Sequence, residues 1–149
     1  MNTLETMEPL EANRLESVTV QQENLVHLPL GLLGFEHIKH YTLLQSASEA
    51  PFSWLQVIDH PNLAFLVLPA LEFLPEYQPD VPAEDVKFLE LNRPEDALVF
   101  NIITLGAKGS GTANLKGPIV INRFTLKGKQ VVLANAGRYS IQHPLPLGR

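Results

Sequence analysis

The chain of 149 residues contains no cysteine. It can form no disulfide bond and offers no thiol for catalysis or metal binding, which fits a reducing compartment. Long apolar runs are also missing, since the longest, residues 63–68, falls far short of the ~20 residues that a membrane-spanning helix needs. The first residues are acidic and show no secretory signal. We therefore expect a cytoplasmic protein with no membrane span.

Acidic residues are absent from the last third of the chain. Residues 97–149 contain no Asp or Glu and seven bases, whereas residues 72–96 contain eight acids and two bases. If these two segments occupy different faces, one surface attracts cations and another attracts anions. If instead the strands interleave in space, the asymmetry averages out. The sequence leaves both arrangements open.

The most regular part of the sequence lies between residues 97 and 134. Three apolar runs, 97–105, 112–122 and 130–134, are rich in β-branched residues and separated by Gly and Pro, which predicts buried strands. In the first run Leu98, Phe100 and Ile102 share one face, and Val99 and Ile103 share the other. Both faces are apolar, so this strand is expected in the middle of a sheet or barrel wall. Asn101 is its polar exception.

The remaining segments predict short elements joined by many turns. Residues 17–21 and 41–44 favour strands, and residues 51–58 and 63–68 favour a hairpin around the turn 59–62. Two glycines in the apolar segment 28–36 indicate a tight turn with positive φ or close backbone approach. Residues 83–91 favour one short amphipathic helix, and the tail 138–145 favours an edge strand. The fold class predicted is all-β, a small antiparallel β-barrel with one short helix, with a flexible lead-in at 1–16 and a single domain at 17–149.

No pattern in the sequence supports catalysis. The loop 106–111 is rich in glycine but lacks the Lys-Ser/Thr pair and the following helix of a phosphate-binding loop. Among the five histidines only His37 and His40 are close in sequence, and no acid or thiol stands at a supporting spacing. The acid pair Glu84–Asp85 fits the start of a helix better than acid–base chemistry. We expect no catalytic residue, no metal and no cofactor.

Several separated blocks resemble the family of the flagellar assembly factor FliW. These blocks are LPLGLLGFE at 28–36, PFSWLQ at 51–56, LAFLV at 63–67, PEDALV at 94–99 and, above all, TANLKGPIVIN at 112–122. The resemblance covers most of the chain, and its blocks occur in the family's order. It implies a small antiparallel β-barrel that is not an enzyme.

The resemblance also implies two protein partners. Members of the family bind newly made flagellin, and once flagellin has been exported they bind the carbon storage regulator. That regulator is an RNA-binding repressor of flagellin translation, so its capture relieves the repression. No direct contact with nucleic acid or membrane is expected.

Charge and apolar character suggest where these partners bind. A partner that binds RNA must present a basic surface. The regulator is therefore expected at the densest acidic cluster, Glu72, Glu76, Asp80, Glu84 and Asp85. The alternative is a solvated acidic face that serves solubility. Flagellin is expected at a groove and loop formed by Phe35, Phe73, Tyr77, Asn114, Lys116 and Pro118.

Two functions of other classes remain open from the sequence. A small-ligand-binding β-barrel would need an interior cavity lined by polar groups. A weak nucleic-acid-binding module would use the basic residues of the C-terminal third. The net charge of −5 argues against the second.

Overall fold

A computed structural model describes residues 24–45, 47–72, 74–107 and 110–145 of the chain. The lead-in predicted at 1–16 and the strand predicted at 17–21 lie outside these ranges. In the described residues the strands are β1 (Leu25–His27), β2 (His40–Gln45), β3 (Ser53–Val57), β4 (Ala64–Leu68), β5 (Ala97–Leu105), β6 (Gly111–Ala113), β7 (Ile119–Asn122), β8 (Gly128–Gln130) and β9 (His143–Pro144). All of their ladders are antiparallel. The all-β prediction is confirmed.

Strand β5 is the centre of the sheet. Its first half pairs with β7, where Phe100 lies opposite Ile119, and its second half pairs with β6, where Ile103 lies opposite Ala113. Between these halves it pairs with β4. One path therefore runs β1-β2-β3-β4-β5-β6-β9, and the β7–β8 hairpin branches from β5. The nine residues of β5 can pair with three strands because each of those strands pairs with only a few of them.

The two faces of β5 contribute to two different hydrophobic clusters, as the alternation predicted. Phe100, Leu98 and Ile102 pack in a cluster with β1, β2 and β3, whereas Ile103 and Val99 pack in a second cluster with β6, Leu89 and the segment after β8. Burying apolar area on both faces contributes about 25 cal/mol per Å² to folding. The double-sided burial explains why β5 is apolar on both faces.

Closure of the sheet into a barrel is not confirmed. Within the residues described, a single parallel bridge from His27 to Lys127 joins β1 to the β7–β8 hairpin, supported by the His27 N–H donating to the Leu126 carbonyl at 3.0 Å. One bridge is not a ladder, so the sheet stays open at this seam. The strand β1 is only three residues long, which limits the pairing it can offer.

The one α-helix of the described ranges is α1, Ala83–Phe88. It begins after Pro82, whose fixed φ suits a helix start, and its first turn carries Glu84 and Asp85 near the positive end of the helix dipole. It is followed by Leu89, which is fully buried, and by Glu90 at φ 58°. The short helix predicted at 83–91 is therefore confirmed over Ala83–Phe88. No helix in the described ranges is long and apolar enough to cross a membrane.

Candidate partner-binding surfaces

An open groove of about 510 Å³ lies on the surface of the described part of the chain. Its walls come from four separate stretches of chain: the turn after β1, the loop between β6 and β7, the end of β8 with Val132 two residues beyond it, and the segment before β9. Four aliphatic side chains around it are exposed, and they are Leu30 (52%), Leu33 (81%), Val132 (74%) and Ile141 (58%). Exposed aliphatic side chains that converge on a concave surface mark an interaction site.

The turn 28–36 forms one wall of this groove, and two glycines give it its shape. Gly31 and Gly34 both have positive φ, 68° and 89°. At Gly31 a Cβ would lie 2.5 Å from the Phe35 carbonyl oxygen, so the backbone approaches itself closely there. Both features were predicted from the sequence. The turn buries Leu32 at 1% exposure and directs Leu33 to solvent.

The loop 114–118 forms the opposite wall. The Asn114 side-chain oxygen accepts hydrogen bonds from the Lys116 N–H (3.1 Å) and the Gly117 N–H (3.0 Å), which holds the loop in a tight turn. Asn114, Lys116 and Gly117 line the groove, and Lys116 is exposed. Pro118 is buried. The structure therefore places two of the predicted flagellin residues, Asn114 and Lys116, at the groove.

The predicted aromatic residues do not share this groove. Phe35 is half-buried and packs edge-on to Phe65 at a centroid distance of 5.1 Å. Tyr77 is 2% exposed and belongs to the other hydrophobic cluster, so its expected contact with a partner is corrected to a core role. Phe73 lies outside the described residues. Aromatic side chains in small β-proteins are drawn into the core because each buries a large apolar area.

A buried polar network explains why Tyr77 and Asn101 are inside. The Tyr77 hydroxyl donates to the Leu115 carbonyl (2.8 Å), and the Asn101 amide donates to the Tyr77 oxygen (3.1 Å) and the Asn114 carbonyl (2.9 Å). The Asn101 oxygen accepts from the Ala70 N–H at 3.2 Å. Burial raises the pKa of Tyr77 to about 12, so its hydroxyl keeps its proton at neutral pH. The network fixes the segment after β4 against the groove loop.

The acidic residues separate into an exposed and a buried set. Glu72, Glu76, Asp80 and Glu84 are exposed. Asp85 is 3% exposed and its carboxylate forms an ion pair with Lys129, so its predicted place on the acidic surface is corrected to a structural one. Lone charges are costly to bury, and the lysine supplies the partner that Asp85 requires.

The basic hairpin β7–β8 packs directly against the acidic segment. Lys129 pairs with Asp85, Lys127 lies over the Phe88 ring at 4.1 Å from its centroid, and the Arg123 guanidinium donates to the Glu95 carbonyl at 2.8 Å. The acidic and basic blocks of the sequence therefore meet in space at this interface. Of the two arrangements left open by the sequence, interleaving describes this part of the molecule.

The histidines do not gather into a metal site in the described part of the chain, where no group of three or more His, Cys, Asp or Glu side chains comes together. His40 stacks on His27 of the neighbouring strand, with ring centroids 5.0 Å apart. Its sequence neighbour His37 lines a different hollow, beside Phe35 and His60.

The aliphatic residues that dominate the groove were not predicted from the sequence. Val132 and Ile141 lie in the segments 130–134 and 138–145, for which the sequence predicts strands, but β8 ends at Gln130 and β9 begins at His143, so both residues stand outside the sheet. The doublet Leu32-Leu33 offered one signal, since two adjacent residues of a turn cannot both point into the same core. Leu33 is the one left outside.

An open antiparallel sheet with an aliphatic groove and an acidic connection, residues 69–96 between β4 and β5, defines the class: a small β-protein with exposed apolar and acidic surfaces of the kind that protein partners cover. Comparison with known proteins gives the family. The model of the family described as FliW protein matches residues 9–145. The flagellar assembly factor FliW of Treponema denticola is 41% identical over 129 residues, which are 86% of each chain. That of Leptospira interrogans is 36% identical over 118 residues, covering 78% of this chain and 79% of the relative.

A solved structure agrees with these relatives. A crystal structure of the flagellar assembly factor FliW aligns with a TM-score of 0.75 and 32% identity, covering 85% of this chain and 88% of the other. The chain belongs to the FliW family of flagellar assembly factors. The resemblance stated from its sequence blocks is confirmed.

Proposed function

We propose that this protein binds flagellin in the cytoplasm through its aliphatic groove and, when flagellin has left, binds the carbon storage regulator through its exposed acidic residues. Capture of the regulator relieves repression of flagellin translation. The protein acts through these contacts and not as an enzyme. Membership of the flagellar assembly factor family supports a role in flagellum biogenesis. The observation that carries the flagellin step is the convergence of four exposed aliphatic side chains on one groove.

Flagellin binding at the groove has a physical basis in apolar area. Leu33 and Val132 expose most of their side chains to water, and covering them releases about 25 cal/mol per Å² of apolar area. Lys116 and Gln130 lie beside them and supply polar contacts at the rim. An aliphatic centre with a polar rim is the usual anatomy of a protein-binding site.

Regulator binding at the acidic surface has a basis in charge. Glu72, Glu76, Asp80 and Glu84 are exposed, and none of them is held in an ion pair with a base of the described chain. Free carboxylates speed association with a basic partner and repel RNA that competes for it. This surface is formed by the connection between β4 and β5, whereas the groove is formed by other segments.

The flagellin step is tested with Leu33→Asp. A carboxylate at the centre of an apolar interface must lose its water on binding, so the affinity for purified flagellin should fall at least tenfold, about 1.4 kcal/mol. Leu105→Asp is the matched control, because Leu105 is also exposed (59%) but does not line the groove. Isothermal titration calorimetry measures the affinity of both variants for flagellin. Equal affinities for the two variants would remove the groove from the proposal.

The partner switch is tested by co-purification of the full chain with flagellin and the regulator, first separately and then together. The proposal expects each partner to bind alone and bound flagellin to lower the affinity of the acidic surface for the regulator, because two partners on separate surfaces exclude each other only through such a coupling. A chain that retains neither partner would contradict the proposed function.

A further inference from the structure

We infer that Gln130 is a positioning residue that sets the shape of the aliphatic groove. This inference rests on the proposed function, because the readout is the binding of flagellin. Gln130 is the last residue of β8, half-buried, and lies opposite Ile119 of β7. It lines the groove between its two opposite walls.

The Gln130 side chain is hydrogen-bonded to both walls. Its Oε1 accepts from the Leu33 N–H at 2.9 Å, and its Nε2 donates to the Gly117 carbonyl at 3.1 Å. Leu33 and Gly117 belong to segments far apart in sequence. A single amide therefore fixes the distance between the turn 28–36 and the loop 114–118.

The two bonds also fix the orientation of the amide. If the amide were flipped, an NH₂ group would face the Leu33 N–H, and an oxygen would face the Gly117 carbonyl. Both contacts would be repulsive, so one orientation serves both walls. A glutamine is long enough to reach across and carries one donor and one acceptor, which no aliphatic or acidic side chain supplies.

The bond at Leu33 restrains the most exposed aliphatic side chain of the groove. Leu33 is 81% exposed and therefore has little packing to hold it. The Leu33 N–H can bond to water when Gln130 is replaced. Loss of the hydrogen bond to Gln130 therefore affects the position of Leu33 more than the stability of the fold. A binding surface that is already ordered loses less entropy when its partner binds.

The test is Gln130→Met, which keeps the length of the side chain and removes both hydrogen bonds. Affinity for flagellin should fall about tenfold, because the turn and the loop must then be ordered on binding. Gln45→Met is the matched control, since Gln45 is exposed at the end of β2 and does not line the groove. Thermal unfolding of the two variants should be similar. If Gln130→Met binds flagellin as tightly as Gln45→Met, the inference is wrong.

The hydrogen-exchange rate of the Leu33 amide, measured by NMR, tests the positioning role directly. A general loss of stability would change this rate equally in all variants of Gln130. Gln130→Glu keeps an acceptor for the Leu33 N–H but loses the donor to Gly117. The Leu33 amide should therefore exchange faster in Gln130→Met and stay protected in Gln130→Glu, while both variants bind flagellin more weakly. Equal Leu33 exchange in the two variants would contradict the assignment, and this measurement needs no partner.

Failure of this inference can be distinguished from failure of the proposed function. If Leu33→Asp leaves flagellin binding intact, the groove is not the site and the proposed function fails at that step. If Leu33→Asp abolishes binding and Gln130→Met does not weaken it, only the positioning role of Gln130 is lost.

Discussion

The carboxylate of Asp85 on α1 forms an ion pair with the ammonium group of Lys129 on β8. The Asp85 side chain is 5% exposed and that of Lys129 is 25% exposed, so the pair is largely shielded from water. It joins the acidic connection to the basic hairpin, and Lys129 also lines the aliphatic groove. The helix is therefore attached to the sheet by a charge pair as well as by the apolar contacts of Leu89.

Lys129→Met should destabilise the protein by about 3 kcal/mol, because it leaves the buried Asp85 carboxylate without its partner. The double variant Asp85→Asn/Lys129→Met removes both charges and should recover part of that loss. Urea unfolding of Lys129→Met, Asp85→Asn and the double variant gives the coupling free energy between the two side chains. Lys116→Met, at an exposed lysine, should change stability by no more than about 0.5 kcal/mol. If Lys129→Met is as harmless as Lys116→Met, the pair does not stabilise the fold.

The Asn101 network gives a second stability prediction. Asn101→Ala removes the partner of the Ala70 N–H, the Tyr77 hydroxyl and the Asn114 carbonyl in a site that is fully buried. We expect a loss of about 3 kcal/mol, because buried polar groups without partners keep their full desolvation cost. The exposed Asn92→Ala is the control. A denaturation midpoint for Asn101→Ala equal to that of the control would show that the network contributes nothing.

The two glycines of the turn 28–36 should differ in their tolerance of alanine. At Gly34 a Cβ meets nothing within 4 Å, so only the positive φ is penalised, at about 1 kcal/mol. At Gly31 the same φ penalty is joined by contacts of 2.5 Å to the Phe35 oxygen and 2.6 Å to the Glu36 Cα, so the cost should be roughly 3 kcal/mol or more. Melting temperatures of the two alanine variants decide the order. A Gly31→Ala variant as stable as Gly34→Ala would disprove the close approach.

Acidification should weaken the seam between β1 and the β7–β8 hairpin. His27 is exposed, but slight desolvation of its imidazole lowers its pKa below 6.5, and the neighbouring His40, Lys127 and Lys39 act in the same direction. The unfolded chain therefore takes up a proton at a higher pH than the folded chain does. Stability from this group is present above pH 6.5 and is lost as pH falls through 6.5 toward the lower folded value.

The measurement is the melting temperature between pH 7.5 and pH 5.5. The decrease on acidification should be smaller in His27→Gln than in the wild type, because the glutamine cannot be protonated. His60→Gln, at an exposed turn position, should show the wild-type decrease. Titration of Glu36 does not affect this comparison. A hydrogen bond from the Gly34 N–H is the main cause that lowers the Glu36 pKa, so protonation of this carboxylate changes stability only below about pH 4.5. An equal decrease in all three proteins would contradict the prediction.

Local patterns of the sequence were enough to predict most of the fold. The alternation of Leu98, Val99 and Phe100 predicted a strand buried on both faces, and it is β5. The turn formers at 59–62 predicted the hairpin β3–β4, and two glycines predicted the shape of the turn 28–36. Each of these signals lies within one short stretch of chain, where spacing and residue type reflect the local geometry.

The groove could not be predicted in the same way, because its walls come from four stretches that only the tertiary fold brings together. Val132 and Ile141 are apolar residues that the pattern places inside and the fold leaves outside. Tyr77 and Asp85 are the reverse case, because Asn101 and Lys129, distant in sequence, supply the partners that allow their burial. Whether a polar residue is buried depends on a partner that the local sequence does not show.

Reversal of the exposed acidic charges tests the regulator step. The triple variant Glu72→Lys/Glu76→Lys/Asp80→Lys replaces attraction by repulsion, so the affinity for the regulator should fall more than about tenfold at low salt. The loss should shrink toward physiological salt, where the Debye length contracts to about 8 Å. Flagellin binding should not change, because none of the three residues lines the groove.

The control for this reversal is Glu49→Lys/Asp59→Lys, which reverses two exposed carboxylates outside the acidic connection. Both the triple reversal and this control make the protein more basic. The comparison therefore separates an effect of the reversed positions from an effect of net charge. Titration of each variant with the regulator at several salt concentrations measures the two affinities. If the control weakens binding in proportion to its charge change, long-range attraction accounts for the result. If only the triple variant loses affinity, the regulator docks on the connection between β4 and β5.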